Sequence, residues 1–211
     1  MLLKKNGVIK DMLLPAEFVQ GEQEFGGKGD NWRLIHYPRK FKNETPSPVQ
    51  LIIYYRGSPP PKAAGDAFRV LVSQAPQVLF DQDDTKDASA VSNMLKNLGQ
   101  ALGSASDNQL VNQKQGLHGA LFYLQKLAVG QVNKRSVLTV TGVFHRSGAT
   151  PDEFQFEGST NYSQAILFDA APGSEPCRIE EIVLQADTAE LLGTYLPLLD
   201  RALNTVRWND R

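Results

Sequence analysis

The sequence predicts an α+β fold, with a mostly antiparallel β-sheet of about six strands, a long C-terminal helix and a pair of helices in the middle of the chain. Three observations predict this class. Runs of β-branched and aromatic residues recur in both halves, apolar residues at helical spacing occupy residues 63–103, and a final amphipathic stretch begins at Thr188. A chain of 211 residues, 41% of them hydrophobic, buries a large core without a disulfide or a metal. We therefore expect a single α+β domain over residues 1–211.

Three strands are predicted in the first part of the chain. Ile9–Met12 and Trp32–Tyr37 are short strand-like runs, and the glycine-rich residues 21–30 between them predict a loop. Val49–Arg56 is the richest in β-branched and aromatic residues, and its middle is apolar on both faces. This pattern is typical of a central strand that is covered on both sides.

Two helices are predicted in the helical segment at about residues 63–103. Ala63–Gln74 carries apolar residues at helical spacing after a proline-rich break. Asp87–Leu102 has an apolar stripe at the i, i+3, i+4, i+7 positions, and Gly103 suits its C-terminal end. We therefore expect these two helices to form the pair in the middle of the chain.

Gly116–Gly130 fits either a helix or a strand. Its leucines have helical spacing, whereas its aromatic residues and flanking glycines are typical of a strand. We favour the strand, because a turn at Gln131–Arg135 and a second strand at Ser136–His145 follow directly. Two strands joined by a short turn form a hairpin.

The last quarter of the chain predicts two strands and the closing helix. Ser163–Phe168 and Ile179–Leu184 read as strands on either side of a proline-containing turn. The helix is expected from Thr188 to about Val206, with Asp187 as its N-terminal cap. Pro197 lies inside this run and is expected to kink the helix, because proline lacks an amide donor.

Composition excludes several classes of protein. The net charge is −1 and no basic run exceeds a pair of residues, so a nucleic-acid binder is not expected. The single cysteine, Cys177, cannot close an internal disulfide. No apolar segment has the length of a signal peptide core or of the roughly 20 residues that span a bilayer. The sequence therefore predicts a soluble, cytoplasmic protein with no membrane span.

No catalytic or metal-binding motif is recognisable. The three histidines, His36, His118 and His145, are widely spaced, and Cys177 is the only thiol, so no metal site is predicted. The chain also lacks a P-loop and a nucleophile elbow. We predict no cofactor and no catalytic residue. An enzyme with a dispersed site around His118, His145 and Cys177 remains a third hypothesis.

The order of elements resembles that of the PsbP-like fold superfamily. The local similarities are Leu14–Phe18 near the start, and Ile182–Leu184 with Leu203–Trp208 at the end. This superfamily includes photosystem extrinsic subunits, Ran-binding Mog proteins and type VI secretion effector chaperones. The resemblance implies an adaptor or assembly role, and it transfers no site residues.

The candidate binding residues are four aromatic side chains on neighbouring predicted strands and one strand histidine: Trp32, Tyr37, Tyr54, Tyr55 and His145. If they line a groove, it would take a peptide or a small ligand. Aromatic residues also dominate protein cores, and core packing is the commoner role. The leading hypothesis is a non-enzymatic protein-binding module, such as an adaptor, chaperone or assembly factor. The alternative is a small-molecule or lipid-binding protein with an apolar pocket between sheet and helices.

Overall fold

The fold is α+β with antiparallel sheets, as the sequence predicts. A computed structural model describes residues 2–21, 23–25, 33–39, 47–55, 57, 59–83, 120–146 and 159–209. The small sheet contains β1 (Leu2–Asn6), β2 (Ile9–Leu13) and β11 (Arg207–Trp208). The large sheet contains β3 (Gln23–Phe25), β4 (Arg33–Pro38), β5 (Val49–Tyr55), β6 (Gln77–Asp81), β7 (Ala120–Val132), β8 (Arg135–Arg146), β9 (Ser159–Asp169) and β10 (Ile179–Ala186). The two described helices are α1 (Lys62–Val72) and α2 (Ala189–Leu203).

The large sheet has the strand order β3-β4-β5-β10-β9-β8-β7-β6, so β5 lies inside the sheet as its sequence predicts. Alternate residues of its strands enter two apolar clusters. One cluster, with Ile53 and Ile182, packs under α2 and the small sheet. The other, with Ile52 and Val183, packs under α1. Both faces of the central strands are therefore buried, which explains the nearly continuous apolar run in β5.

Helix α1 confirms the first helix of the predicted pair, within two residues at either end. It buries Phe68, Leu71 and Val72 on the sheet. Its glycine lies very close to the chain before β10: a Cβ atom at Gly65 would lie 2.7 Å from the Cβ of Cys177. The second predicted helix, Asp87–Leu102, lies outside the described residues.

The β7–β8 hairpin confirms the strand interpretation over residues 120–130, the part of that segment that the structure describes. The turn contains only Asn133 and Lys134, with φ of 44° and 69°, so it is tighter than the predicted five residues. Positive φ at both turn residues is the type I′ geometry, whose twist matches that of the flanking strands.

The end of the chain differs from the prediction in two respects. Thr188 caps α2, not Asp187: its Oγ1 accepts a hydrogen bond from the amide of Leu191 at 3.2 Å, and its backbone is extended. The helix runs through Pro197 and ends at Leu203, three residues before the predicted end. The next residues turn and form β11, which pairs with β2 and makes a two-bond ion pair between Arg207 and Asp11 at 2.7 and 2.6 Å.

The estimate of about six strands is too low, because short strands escaped prediction. Strands β3 and β6 form the two edges of the large sheet, and β1 is an edge of the small one. β3 has three residues and β11 has two, so neither can show a period of alternation. Neither of the described helices is long and apolar enough to cross a membrane.

Candidate functional site

The three predicted binding tyrosines lie in the core of the part of the chain that the structure describes. Tyr37, Tyr54 and Tyr55 are all buried. Tyr37 and Tyr55 belong to the cluster under α2, whereas Tyr54 points to the opposite face of the sheet. Trp32 lies outside the described residues. His145 lies in β8, where its backbone pairs with Leu121 and Thr160. The three tyrosines therefore serve the core, and their role in binding stays a prediction.

Of the three residues in the dispersed-enzyme hypothesis, Cys177 is the one whose side chain the structure describes. The Cys177 side chain is buried, and burial followed by the nearby Asp169 carboxylate raises the pKa of its thiol to about 12. A thiol with this pKa is not a ready nucleophile at neutral pH. His36 instead shares a hydrogen bond of 3.2 Å with the Gln50 side chain through Nδ1. His118 lies outside the described residues. In the described parts of the chain, no three His, Cys, Asp or Glu side chains are grouped to hold a metal.

Charged side chains instead gather at one end of the large sheet. The tip of the β7–β8 hairpin, the loop between β9 and β10, the end of α1 and strand β11 meet there around an open groove of about 840 Å³. We call it the basic groove because it is lined by five basic side chains: Lys10, Arg69, Lys134, Arg135 and Arg207. Asp169 is the acidic residue among its lining residues.

The arginines of the basic groove are held by fixed partners. Arg69 donates to the carboxylates of Asp169 at 2.7 Å and Glu175 at 2.8 Å, which fastens α1 to the β9–β10 loop. The hydrogen bond to Asp169 raises the pKa of Arg69. The guanidinium of Arg135 lies 4.3 Å from the centre of the Trp208 ring and donates to the Asp169 carbonyl oxygen at 3.2 Å. These contacts fix the direction of both side chains before any ligand arrives.

The two lysines of the basic groove are less constrained. Both Lys10 and Lys134 are exposed, and neither forms an ion pair with a residue that the structure describes. The carboxylates of Asp11, Asp169 and Glu175 occupy the arginines at positions 69 and 207. The positive charge of the groove therefore exceeds its negative charge, although the whole chain has a net charge of −1.

A second cavity, of about 360 Å³, lies between the β1–β2 turn and the β9–β10 loop. We call it the Glu180 pocket after the acid in its wall. Atom Oε2 of Glu180 is buried and has no hydrogen-bond partner among the described residues. Burial raises the pKa of this carboxyl to about 7, although the guanidinium groups of Arg178, Arg33 and Arg135 act to lower it. The cost of removing water from the carboxylate thus exceeds the attraction of three cations.

Close backbone packing shapes the Glu180 pocket. Gly7, in the turn between β1 and β2, has a φ of 65°, and a Cβ atom there would overlap the Tyr55 ring. The Asn209 side chain donates to the Gly7 carbonyl oxygen at 2.8 Å, and the Asn209 amide donates to the Val8 carbonyl oxygen at 2.7 Å. Arg135 and Pro172 line both this pocket and the basic groove. The two cavities therefore share a wall.

The sequence gives little sign of either cavity, because their lining residues come from distant positions between Gly7 and Asn209. The available signals are local: Lys134 lies in a predicted turn, and Arg178 follows a proline-containing loop. A comparison with the models of known families and with curated proteins finds no match to this chain. The chemistry of the two cavities is therefore the basis for assigning a function.

Proposed function

We propose that this chain is a non-enzymatic binding protein that recognises another protein through an acidic segment lying in the basic groove. The observation that carries the proposal is the surplus of cationic side chains around one open groove in a chain with almost no net charge. Such a local patch attracts acidic partners by steering their approach and by pairing charges on contact.

The preset Arg135 favours this role. A side chain that is already ordered loses less conformational entropy on binding than a free one. Arg135 is stacked on Trp208, whereas Arg69 is already paired with two carboxylates and serves to hold the wall of the groove. The two exposed lysines add charge at the rim, where a lysine side chain can follow a partner of variable shape.

Apolar docking has less support in the described residues. The exposed large apolar side chains lie on four different segments: Leu13, Val19, Val70 and Val78. A protein-docking surface based on apolar contact needs a contiguous patch instead. Charge is therefore the better guide to the partner, and an adaptor of this kind agrees with the role that the PsbP-like resemblance implies.

The test compares two charge-reversed double variants. Lys10→Glu with Lys134→Glu reverses the two groove lysines, whereas Lys62→Glu with Lys126→Glu reverses two exposed lysines elsewhere and changes the net charge by the same amount. The probe is a fluorescein-labelled peptide of alternating glutamate and serine, and binding is followed by fluorescence anisotropy. We expect the groove variant to bind at least about tenfold more weakly and the control within about twofold of the original chain.

Salt provides a second measure of the same contact. Binding of the peptide to the original chain is expected to weaken several-fold between about 20 and about 200 mM salt, because exposed charges are screened. The groove variant should lose most of this dependence. Equal binding by both double variants, or affinity that does not change with salt, would show that the basic groove is not the binding surface.

A further inference from the structure

The Glu180 pocket contains a carboxylate of which one oxygen, Oε2, has no hydrogen-bond partner among the described residues. This atom is shielded from solvent. A buried polar atom in this state destabilises the folded chain, and it does so more strongly when it is charged. Because Glu180 lines the pocket, a cationic donor there can pair with its carboxylate group and offset this cost. The nitrogen of an ammonium group is well suited, because its hydrogen bond to a carboxylate is assisted by charge.

The cationic side chains around the pocket determine which other charged groups a ligand needs. Arg135 and Arg178 line the same cavity as Glu180, so an ionised pocket has one more positive than negative charge. A simple amine would satisfy the carboxylate but would be repelled by both arginines. A simple dicarboxylate would pair with the arginines but leave Glu180 without a donor. A ligand with one ammonium and two carboxylates matches the pocket in both the kind and the number of charges.

We infer that the Glu180 pocket binds an acidic α-amino acid, with the ligand's ammonium on the Glu180 carboxylate and its carboxylates on Arg135 and Arg178. The cavity of about 360 Å³ is large enough for such a ligand together with some water. Arginine suits the second contact, since its planar guanidinium can donate two parallel hydrogen bonds to one carboxylate. This inference goes beyond the proposed function and does not depend on an acidic protein in the basic groove.

Four charged or titratable groups lie near Glu180 of β10. Three are on other strands: Arg33 on β4, Tyr55 on β5 and Arg135 on β8. The fourth is Arg178, just before β10. Phe168 of β9 and the lining residues Gly7, Val8 and Asn209 carry no charge. Burial raises the pKa of Tyr55, so its phenol stays neutral. Glu180 is thus the group in this set that changes its charge near neutral pH.

Ligand binding through the ammonium needs the ionised form of Glu180. With the pKa of Glu180 at about 7, the ionised fraction falls about tenfold between pH 8 and pH 6. The affinity for the amino acid should fall by about the same factor. Replacing Glu180 with an uncharged side chain should remove both the tight binding and its dependence on pH.

The experiment titrates the full chain with L-glutamate by calorimetry at pH 6 and pH 8. Glutarate, which lacks the ammonium, serves as the matched ligand. The variants are Glu180→Gln, which keeps the shape of the side chain, and Arg178→Gln. Their controls are Glu190→Gln and Arg201→Gln, which change exposed side chains of α2 in the same way. Circular dichroism verifies that each variant is folded.

We expect saturable binding of L-glutamate at pH 8, weakened at least about tenfold by each pocket variant and by less than about twofold by each control. Glutarate should bind the original chain at least about tenfold more weakly than L-glutamate. The inference is overturned if L-glutamate shows no saturable binding up to about 10 mM, the weak end of the affinity scale. It is equally overturned if folded Glu180→Gln binds L-glutamate as tightly as the original chain does.

Discussion

At the residue scale, Glu180 destabilises the fold in a way that depends on pH. Its pKa rises from an ordinary value of 4.5 to about 7 in the folded chain, chiefly through burial. Folding therefore favours the protonated form. Glu180 does not lower the free energy of unfolding below about pH 4.5, where it is protonated in both states. Between about pH 4.5 and pH 7 it lowers the free energy of unfolding progressively, and above about pH 7 this destabilisation is constant. A shift of this size corresponds to roughly 3 kcal/mol of folding free energy.

Glu180→Gln should consequently stabilise the chain at pH 8 and have little effect near pH 4.5. We expect the free energy of unfolding at pH 8 to rise by about 1–3 kcal/mol, because the amide has no charge to desolvate. Urea unfolding at both pH values measures the difference, with Glu190→Gln as the exposed control. A stabilisation of the same size at both pH values would mean that the charge of Glu180 is not its cause.

The two turn residues of the β7–β8 hairpin should respond to glycine in opposite directions. Lys134 has a φ of 69°, which favours glycine, so Lys134→Gly should stabilise the chain by about 0.5–1 kcal/mol. Asn133 also has a positive φ, but its side chain donates to the carbonyl oxygens of Asn204 at 3.1 Å and Val206 at 2.6 Å. Asn133→Gly should therefore destabilise the chain by about 1–2 kcal/mol.

Guanidinium chloride unfolding of the two variants measures both effects under the same conditions. The pair acts as its own control, since each change places glycine in the same turn. A loss of stability from Lys134→Gly would contradict the strain argument. Such a result would mean that the Lys134 side chain stabilises the fold, in addition to the charge that it adds to the basic groove.

At the scale of elements, α1 depends on Arg69 for its attachment to the β9–β10 loop. The side chain of Asp169 is 9% exposed, and it also accepts hydrogen bonds from the amides of Ala171 at 2.9 Å and Arg178 at 3.2 Å. Arg69→Met removes the guanidinium but keeps much of the apolar stem. We expect a loss of about 3 kcal/mol in the free energy of unfolding, because the buried carboxylate loses its cation.

Chemical denaturation measures this loss, and Lys62→Met on the same helix is the control. Lys62 pairs with Asp66 at 3.1 Å, but its side chain is 76% exposed, so its removal should leave the free energy of unfolding almost unchanged. Similar effects from the two variants would show that the Arg69 cluster behaves as an ordinary surface contact.

The predictability of the elements follows from their length and burial. β5 and the β7–β8 hairpin were predictable because long, β-branched segments carry a strong pattern. β3, β6 and β11 were not, because short or edge strands are specified by the neighbours they pair with. The predicted cap of α2 is one residue too early. Asp187 and Thr188 are both good capping residues, and the backbone conformation decides which of them caps the helix.

At the scale of the whole molecule, the fold class was predictable and the candidate site was not. Periodicity reports which residues are buried, so it identified the strands and helices that enclose the core. The candidate tyrosines Tyr37, Tyr54 and Tyr55 belong to these patterned strands, and their side chains are accordingly buried. The basic groove and the Glu180 pocket arise where turns from distant parts of the sequence meet. Such meetings depend on topology, which local patterns do not encode.

The shared wall at Arg135 makes the occupants of the two cavities thermodynamically interdependent. A guanidinium whose charge is paired with an anion in one cavity attracts an anion in the other cavity less strongly. Filling either cavity must then change the affinity of the other, and the factor is the same in both directions. If both cavities bind as proposed, a bound amino acid alters the affinity of the chain for the acidic segment, and that segment alters the affinity for the amino acid by the same factor.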